Sequence, residues 1–280
     1  MSQNHNPLSN YFRQPAIYVK LPSQGNFWPS NAIELTINNE LPVLPMTAVD
    51  EITYRTPDAL YNGQSTVSVI QSCMPNIKNA WAMPLMDFDS VLIAIRIASY
   101  GHELEIFSTC PNCSHEENYS VDLRNVMDNL HAPDYNQILK FGDLEVNFKP
   151  LNYKQSNENS IRQFEEQKML SLIGDDSISE EERLQRMNHA LKSITDMTIT
   201  TLANCIAAIK IPSGLVTETS HIEEWLKNCE RTQFNDIRDH IVALRTASDI
   251  KPLDLECPAC QTKYQQTFTL DQSNFFGVAS

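Results

Sequence analysis

The stretch "STCPNC" occupies residues 108–113 and places Cys110 and Cys113 two residues apart. A second pair, Cys257 and Cys260, lies in "ECPAC" near the other end of the chain. In both pairs a proline follows the first cysteine, and apolar residues stand at matching distances on either side. These flanking residues are Ile106, Val121 and Leu123 for the first pair and Leu253, Phe268 and Leu270 for the second. The pattern predicts one supersecondary unit used twice: a strand, a cysteine-bearing turn and an alternating strand.

Each unit resembles the zinc knuckle of the zinc-ribbon family, in which paired hairpins hold one metal ion between them. Four thiolates at about 2.3 Å complete a tetrahedral shell around Zn²⁺ and leave no position for a substrate. We therefore predict one structural Zn²⁺ held by Cys110, Cys113, Cys257 and Cys260. The glycine that usually follows each pair in that family is absent here.

Two alternatives to a four-cysteine zinc site, and the role of the other cysteines, can be weighed from the surrounding sequence. A redox dithiol needs one pair at a helix N-terminus, but both pairs lie between strand patterns. His115 could replace one thiolate, although a solvated loop histidine is the commoner case. The other cysteines, Cys73, Cys205 and Cys229, fall on helical patterns, which favours buried small apolar residues over ligands.

The two cysteine pairs are 143 residues apart, so a shared metal ties the N-terminal part of the chain to its C-terminus. We predict an α+β fold: a mixed strand and helix module with a zinc-ribbon-like pair of β-hairpins, and a mainly helical insertion between the two hairpins. The predicted boundaries are a flexible arm at 1–14, the α+β module with the first CPxC hairpin at 15–130, the helical insertion at 131–250 and the C-terminal CPxC hairpin at 251–280.

Local patterns place the elements. Strands are predicted at 16–21, 32–37 and 41–46, and helices at 65–74, 156–172 and from Asp87 or Asp89 to Gly101. Capping boxes are predicted at Thr47 with Asp50, Ser179 with Glu182 and Ser220 with Glu223. A loop is expected at 56–63 and a charged turn at 174–183. From about 150 to 250 the pattern is helical.

Composition and motifs argue against several functions. The net charge of −14, from 35 acidic and 21 basic residues, disfavours binding to nucleic acid or to anionic membranes. No apolar run is long enough to span a membrane, and the N-terminus lacks a signal-peptide pattern, so we expect synthesis in the cytoplasm. Seven glycines form no phosphate-binding loop, and no catalytic motif is present. We expect a noncatalytic protein without a small-molecule substrate.

The loop "LPSQGNFWP" (21–29) carries two candidate partner-binding residues, Phe27 and Trp28. Exposed aromatic residues beside a rigid proline are good interface anchors. The alternative is that Trp28 folds back onto the sheet. Farther along, Arg96 interrupts an apolar helix, and we expect its side chain to be solvated or paired with an acidic neighbour.

Four blocks between residues 20 and 125 resemble the T4-type bacteriophage base plate protein family, whose members include hub assembly proteins of contractile-tailed phages. The blocks are "LPSQGNFWP" (21–29), "LPVLPMTAVDEITYRTPDALYNG" (41–63), "IRIASYG" (95–101) and "CPNC" (110–113). The resemblance implies a role in building the tail baseplate, as an assembly factor or chaperone of the hub, a structural subunit or both. The expected partners are other tail and baseplate proteins, and the expected place of action is the host cytoplasm during assembly.

Two other functions stay open at this point. A permanent baseplate subunit would remain in the mature virion. A zinc-ribbon nucleic-acid binder would need a basic strip near the knuckles, but "SHEEN" (114–118) and "LDLE" (253–256) make that region acidic.

Overall fold

The computed structural model describes residues 6–55, 63–171, 179–268, 270 and 276. The described residues form helices and small antiparallel sheets joined by loops, which confirms the predicted α+β class. No helix among them is long and apolar enough to cross a membrane.

The chain divides into two compact units. The first comprises residues 1–80, 87–130 and 250–280, and the second comprises residues 81–86 and 131–249. The second unit therefore interrupts the sequence of the first.

The first unit contains helices and three two-stranded antiparallel sheets. Its elements in chain order are a 3-10 helix (Pro7–Tyr11), β1 (Ile17–Lys20), β2 (Glu40–Val43), α1 (Ala48–Tyr54), α2 (Gln64–Cys73), α3 (Leu85–Tyr100, whose first two residues belong to the second unit), β3 (Glu103–Thr109), β4 (Glu116–Asp122), α4 (Leu123–Asp128), β9 (Leu253–Glu256) and β10 (Lys263–Gln266). The strand pairs are β1 with β2, β3 with β4, and β9 with β10.

The arm predicted at 1–14 is tied to the first unit at Arg13. The Arg13 guanidinium donates hydrogen bonds to the Pro45 carbonyl, to the Asp50 carboxylate and to both the carbonyl and the hydroxyl of Ser72. Residues 7–11 form the short 3-10 helix, and residues 1–5 lie outside the described residues. The prediction of a free arm is therefore wrong at its C-terminal end, because a charged side chain anchors it.

The segment at 32–37 is not a strand. Ile33 makes one isolated bridge with Ile77, and the chain then turns. The Thr36 hydroxyl donates to the Glu40 carbonyl and accepts from the Glu40 N–H, while Asn39 adopts a left-handed conformation with φ 57°. The local side-chain hydrogen bonds of Thr36 thus replace the strand pairing that its apolar neighbours suggested.

Trp28 is buried, so the prediction that it is an exposed anchor is wrong. Its indole Nε1–H donates to the carboxylate of buried Asp87 at 2.8 Å, and Ser23 donates to the same carboxylate through its N–H and its hydroxyl. Asp87 lies in the first turn of α3 and holds the 21–29 loop instead of capping the helix. Phe27 remains about half exposed, so its role in partner binding stays a prediction.

Arg96 is buried, which contradicts the expectation of a solvated or ion-paired side chain. Its guanidinium lies 4.7 Å from the ring centroid of Tyr100, one turn later on α3. Its Nε and Nη1 atoms have no hydrogen-bond partner among the described residues. Burial lowers the pKa of Arg96. The cation is therefore compensated mainly by the face of an aromatic ring.

Within its described residues, the second unit combines four α-helices with a four-stranded antiparallel sheet of order β5-β6-β7-β8. Its elements are β5 (Leu139–Phe141), β6 (Leu144–Phe148), α5 (Tyr153–Ser171), α6 (Glu180–Cys205), β7 (Ile206–Ile211), β8 (Gly214–Val216), α7 (Thr219–Asn228) and α8 (Arg231–Ser248). The core joins the sheet to α6, α7 and α8 through Val146, Phe148, Leu202, Ile206, Ile222 and Ile237.

The helical pattern expected at about 150–250 does not hold for β7 and β8. The run "IAAIKI" directly follows α6, and a short apolar run reads equally well as the end of a helix or as a buried strand. Strand pairing makes this segment a strand and not a continuation of the helix, because Val146 on β6 is the register partner of Ile209 on β7.

Two of the three predicted capping boxes have the expected cap. Thr47 and Asp50 bond reciprocally at the start of α1, and the Ser179 side chain accepts from the Glu182 N–H at the start of α6. The third is wrong, because α7 begins at Thr219. Most of the loop expected at 56–63, and residues 174–178 of the charged turn, lie outside the described residues.

Candidate metal centre

Each cysteine pair lies in the turn between two antiparallel strands, as predicted. In the first hairpin β3 and β4 pair over seven residues, from Glu103 with Asp122 to Thr109 with Glu116. In the second, β9 and β10 pair from Leu253 with Gln266 to Glu256 with Lys263.

The two turns share one backbone hydrogen-bond pattern. In the first, the Cys110 N–H donates to the His115 carbonyl and the Ser114 N–H donates to the Cys110 carbonyl. In the second, the Cys257 N–H donates to the Thr262 carbonyl and the Gln261 N–H donates to the Cys257 carbonyl. The sequence repeat therefore corresponds to a structural repeat, in which each turn directs both of its thiols to the same side.

The residue after each pair adopts a left-handed conformation. Ser114 and Gln261 both have φ 58°. These are the positions where the zinc-ribbon family usually has glycine, which takes positive φ without a steric penalty. The knuckle geometry is thus retained although the glycine is absent.

The four thiols converge on one point. Cys110 Sγ lies 3.7 Å from Cys260 Sγ, and Cys113 Sγ lies 3.7 Å from Cys257 Sγ. All four sulfur atoms lie within 4.8 Å of one another. A tetrahedral ion with sulfur ligands at about 2.3 Å has sulfur–sulfur edges of about 3.8 Å. The spacing of the thiols therefore fits one tetrahedral metal ion, with each short contact joining the two hairpins.

Hydrogen bonds within and around the cluster move the pKa values of its thiols in opposite directions when no cation is bound. The His115 N–H lowers the pKa of Cys113, but the neighbouring thiols of Cys260, Cys257 and Cys110 outweigh this effect and raise it to about 12. Hydrogen bonds with Thr262, then Asn112, lower the pKa of Cys260 to about 5. A divalent cation removes the conflict, because it favours the deprotonated form of every ligand.

A polar network joins the hairpins beside the thiols. Buried Ser108 donates to Gln266 Oε1 at 2.9 Å, and its hydroxyl lies 3.0 Å from that of Tyr264. The Tyr264 hydroxyl donates to the Tyr119 hydroxyl, which in turn donates to the Glu256 carbonyl. This network was not predicted from the sequence. It could have been suggested only by the polar residues that occupy inward-facing positions in strands of alternating pattern.

The other possible metal ligands considered from the sequence, His115 and the three remaining cysteines, lie outside the cluster of four thiols. His115 is solvent-exposed, and its Nε2 lies 3.5 Å from Glu117 Oε2. Cys73 and Cys205 are buried on helices, where burial raises the pKa of each thiol to about 12. Cys229 is partly buried at the end of α7. Among the described residues, only the four predicted cysteines form a group that could hold a metal ion.

Comparison with known proteins gives one match. The model of the T4 bacteriophage base plate protein family matches residues 46–277, which is more than four-fifths of the chain. The matched part contains both cysteine pairs and starts after the 21–29 loop. No curated protein and no solved structure matches the chain.

Proposed function

Because the chain belongs to the T4 bacteriophage base plate protein family, we propose that it is a noncatalytic assembly factor of the baseplate hub with one structural zinc ion. The family match supports a role in the baseplate, since it extends over parts of both units of the fold. The partners are then other tail and baseplate proteins, and the place of action is the cytoplasm of the host bacterium.

The donor set supports zinc as the metal. Four cysteine sulfurs at tetrahedral spacing suit Zn²⁺, which has no redox chemistry and needs no open coordination position in a structural site. When bound, the ion supplies cross-linking only. The chain's own residues do the rest: the repeated turns orient the thiols, and the Ser108 network aligns the strands behind them.

Surface charge supports a basic protein partner. The solvent-exposed residues of β3 include Glu103, Glu105 and Phe107. On the neighbouring strand β4, Glu116 is also exposed and is the register partner of Thr109 on β3. Carboxylates around an exposed aromatic ring suit a partner surface that carries lysine or arginine. Phe27, held beside the anchored Trp28 with φ 66°, is a second proposed contact.

A permanent subunit of the baseplate is the second candidate, and the description of the family itself favours it. The two candidates differ in where the protein is found after assembly. An assembly factor leaves the finished particle, whereas a subunit stays in the virion tail at fixed stoichiometry.

The test uses a phage in which this gene carries a nonsense mutation. We expect lysates without suppression to lack complete baseplates, and a plasmid copy of the wild-type chain to restore them. Quantitative mass spectrometry of purified virions then separates the candidates, because only a permanent subunit is present at fixed stoichiometry. Normal tails in the absence of the protein would disprove both.

The contact residues are tested by complementation with Phe27→Asp or Phe107→Asp. Each variant should restore fewer complete baseplates than the wild-type chain while retaining its folding. Leu215→Asp is a matched control, because Leu215 is an exposed apolar residue on β8 of the second unit and belongs to neither proposed contact. Full complementation by both Phe variants would disprove the proposed contacts and leave the assembly role standing.

A further inference from the structure

An apolar stripe lies exposed on the N-terminal half of α6. The exposed fractions are 55% for Leu184, 42% for Met187, 55% for Leu191 and 36% for Ile194. Farther along the same helix, Ile199, Leu202 and Ala203 are buried in the core of the second unit. Within the described part of the chain nothing covers the stripe, although four large apolar side chains in one row favour burial.

The stripe is not the face that α6 uses within its own unit. Ala190 is 2% exposed, whereas its neighbour Leu191 is 55% exposed. Helix α5 runs beside α6, with the Asn159 side-chain amide donating to the Thr201 hydroxyl. Helix α6 therefore has a second apolar row beside the one that packs inward.

The spacing of the stripe is that of a coiled-coil seam. Its members are three, four and three residues apart, which is the a/d pattern of two heptads. A surface with this period is matched by another helix, because knobs at 3.5-residue intervals insert into the holes of a facing helix.

We propose that a second copy of this chain covers the stripe, with the two α6 helices antiparallel. The three-four-three spacing reads the same in both directions. A two-fold axis at the level of residue 189 then places Leu184 opposite Ile194, and Met187 opposite Leu191, in four apolar layers. Such self-complementarity is the requirement of an isologous dimer interface.

Charge also favours a second copy at this place. Three of the four residues that flank the seam symmetrically about residue 189 are uncharged: Asn188, Ala190 and Thr195, with Arg183 as the fourth. Helix α5 has three acidic and three basic residues, and α6 has four acidic and three basic residues, although the chain as a whole carries −14. Two copies can therefore approach along these nearly neutral helices with little of the repulsion that their acidic remainder produces. The dimer does not depend on the baseplate role.

The test is the molar mass of the purified, zinc-loaded full chain by light scattering during size-exclusion chromatography across a concentration series. We expect a dimer, and we expect Leu191→Glu to raise its dissociation constant at least about tenfold. Val242→Glu is the matched control, because Val242 is also 55% exposed and lies on α8 of the same unit. Circular dichroism checks that both variants keep their helical content.

A charge pair tests the antiparallel arrangement. Leu184→Glu and Ile194→Lys should each weaken the dimer. The double variant should regain it, since the carboxylate introduced at position 184 of each copy would face the ammonium group introduced at position 194 of the other. A monomeric wild-type chain, or a dimer that Leu191→Glu leaves unchanged, would overturn the proposal. Failure of the double variant to regain the dimer would overturn the antiparallel pairing.

Discussion

Ser114 and Gln261 show how a single residue position constrains the metal centre. Each follows the second cysteine of its pair and has φ 58°. A residue with a Cβ atom is strained in this conformation by about 1–2 kcal/mol. The turn nevertheless keeps it, because the backbone hydrogen bonds around the first cysteine and convergence of the thiols require it.

We expect Ser114→Gly and Gln261→Gly each to raise the free energy of unfolding of the zinc-loaded protein by up to about 1 kcal/mol. Relief of the left-handed strain exceeds the added backbone entropy of the unfolded chain. Denaturant titration measures the change. Ser120→Gly, at an exposed strand position of β4, is the control and should destabilise. Destabilisation by both turn variants would show that the serine and glutamine side chains contribute more than the backbone strain.

Two buried charges of opposite sign lie on the same helix. Burial raises the pKa of Asp87, although hydrogen bonds from Ser23 and Trp28 oppose the shift. Asp87 lies in the first turn of α3, where the helix dipole favours an anion, whereas Arg96 lies before the last turn and faces the ring of Tyr100. The helix dipole therefore compensates in part for the charge of Asp87 and the Tyr100 ring for that of Arg96, since no ion pair among the described residues neutralises either.

At the scale of elements, the start of α1 concentrates several interactions. The Asp50 carboxylate accepts from the N–H and the hydroxyl of Thr47 and pairs with Arg13 at 2.9 Å. Burial raises the pKa of Asp50, but the hydrogen bonds from Thr47 and Ser72, together with the charge of Arg13, outweigh it and lower the pKa below 3.8. One carboxylate thus caps the helix and fixes the chain that precedes β1.

A lowered folded-state pKa means that the ionised form of Asp50 stabilises the fold. Its contribution is complete above the unfolded-state value near 3.8 and is lost as the pH falls through the folded-state value. We expect Asp50→Asn to lower the free energy of unfolding by about 1–3 kcal/mol at pH 7. The difference from wild type should shrink as the pH falls from about 4 to about 2, as measured by urea denaturation at each pH.

Glu34→Gln is the control for this pH dependence, because Glu34 is an exposed carboxylate that pairs with Lys78 at the surface. Its difference from wild type should stay small at every pH, since exposed ion pairs contribute little. A constant deficit for Asp50→Asn down to pH 2 would contradict the proposed role of the ionised carboxylate.

At the scale of the whole molecule, the metal centre closes the first unit across a long sequence separation. Cys113 and Cys257 are contributed by hairpins on either side of the second unit in sequence. The C-terminal hairpin makes a short two-stranded sheet of its own, and such a hairpin is only marginally stable in isolation. The free energy of metal binding is therefore free energy of folding for this part of the molecule.

We expect the purified protein to contain about one zinc ion per chain and Cys257→Ser to lose it. The Tm should fall by about 5–10 °C in the variant and equally after chelation of the wild-type protein. Elemental analysis and calorimetry measure the two effects. Cys229→Ser, outside the cluster, should keep the metal and nearly all of the stability. A metal-free chain of undiminished stability would exclude a structural ion.

Several features of this protein can be predicted from local patterns of residues alone. The repeated cysteine turns, the caps at Thr47 and Ser179 and the α+β class follow from residues within a few positions of one another. Short-range hydrogen bonds and side-chain periodicity act within a single element, so a linear pattern is enough to predict them.

Other features depend on partners far away in the sequence and become visible only in the folded chain. Trp28 turns inward because Asp87 lies there, Arg96 is buried against Tyr100, and β7 is a strand because β6 pairs with it. The physical reason is the same in each case: burial and strand pairing stabilise a residue through neighbours that the linear pattern does not reveal. The metal centre depends on both kinds of information. The four cysteines can be predicted from the sequence pattern, whereas the fold brings their sulfur atoms within 4.8 Å of one another.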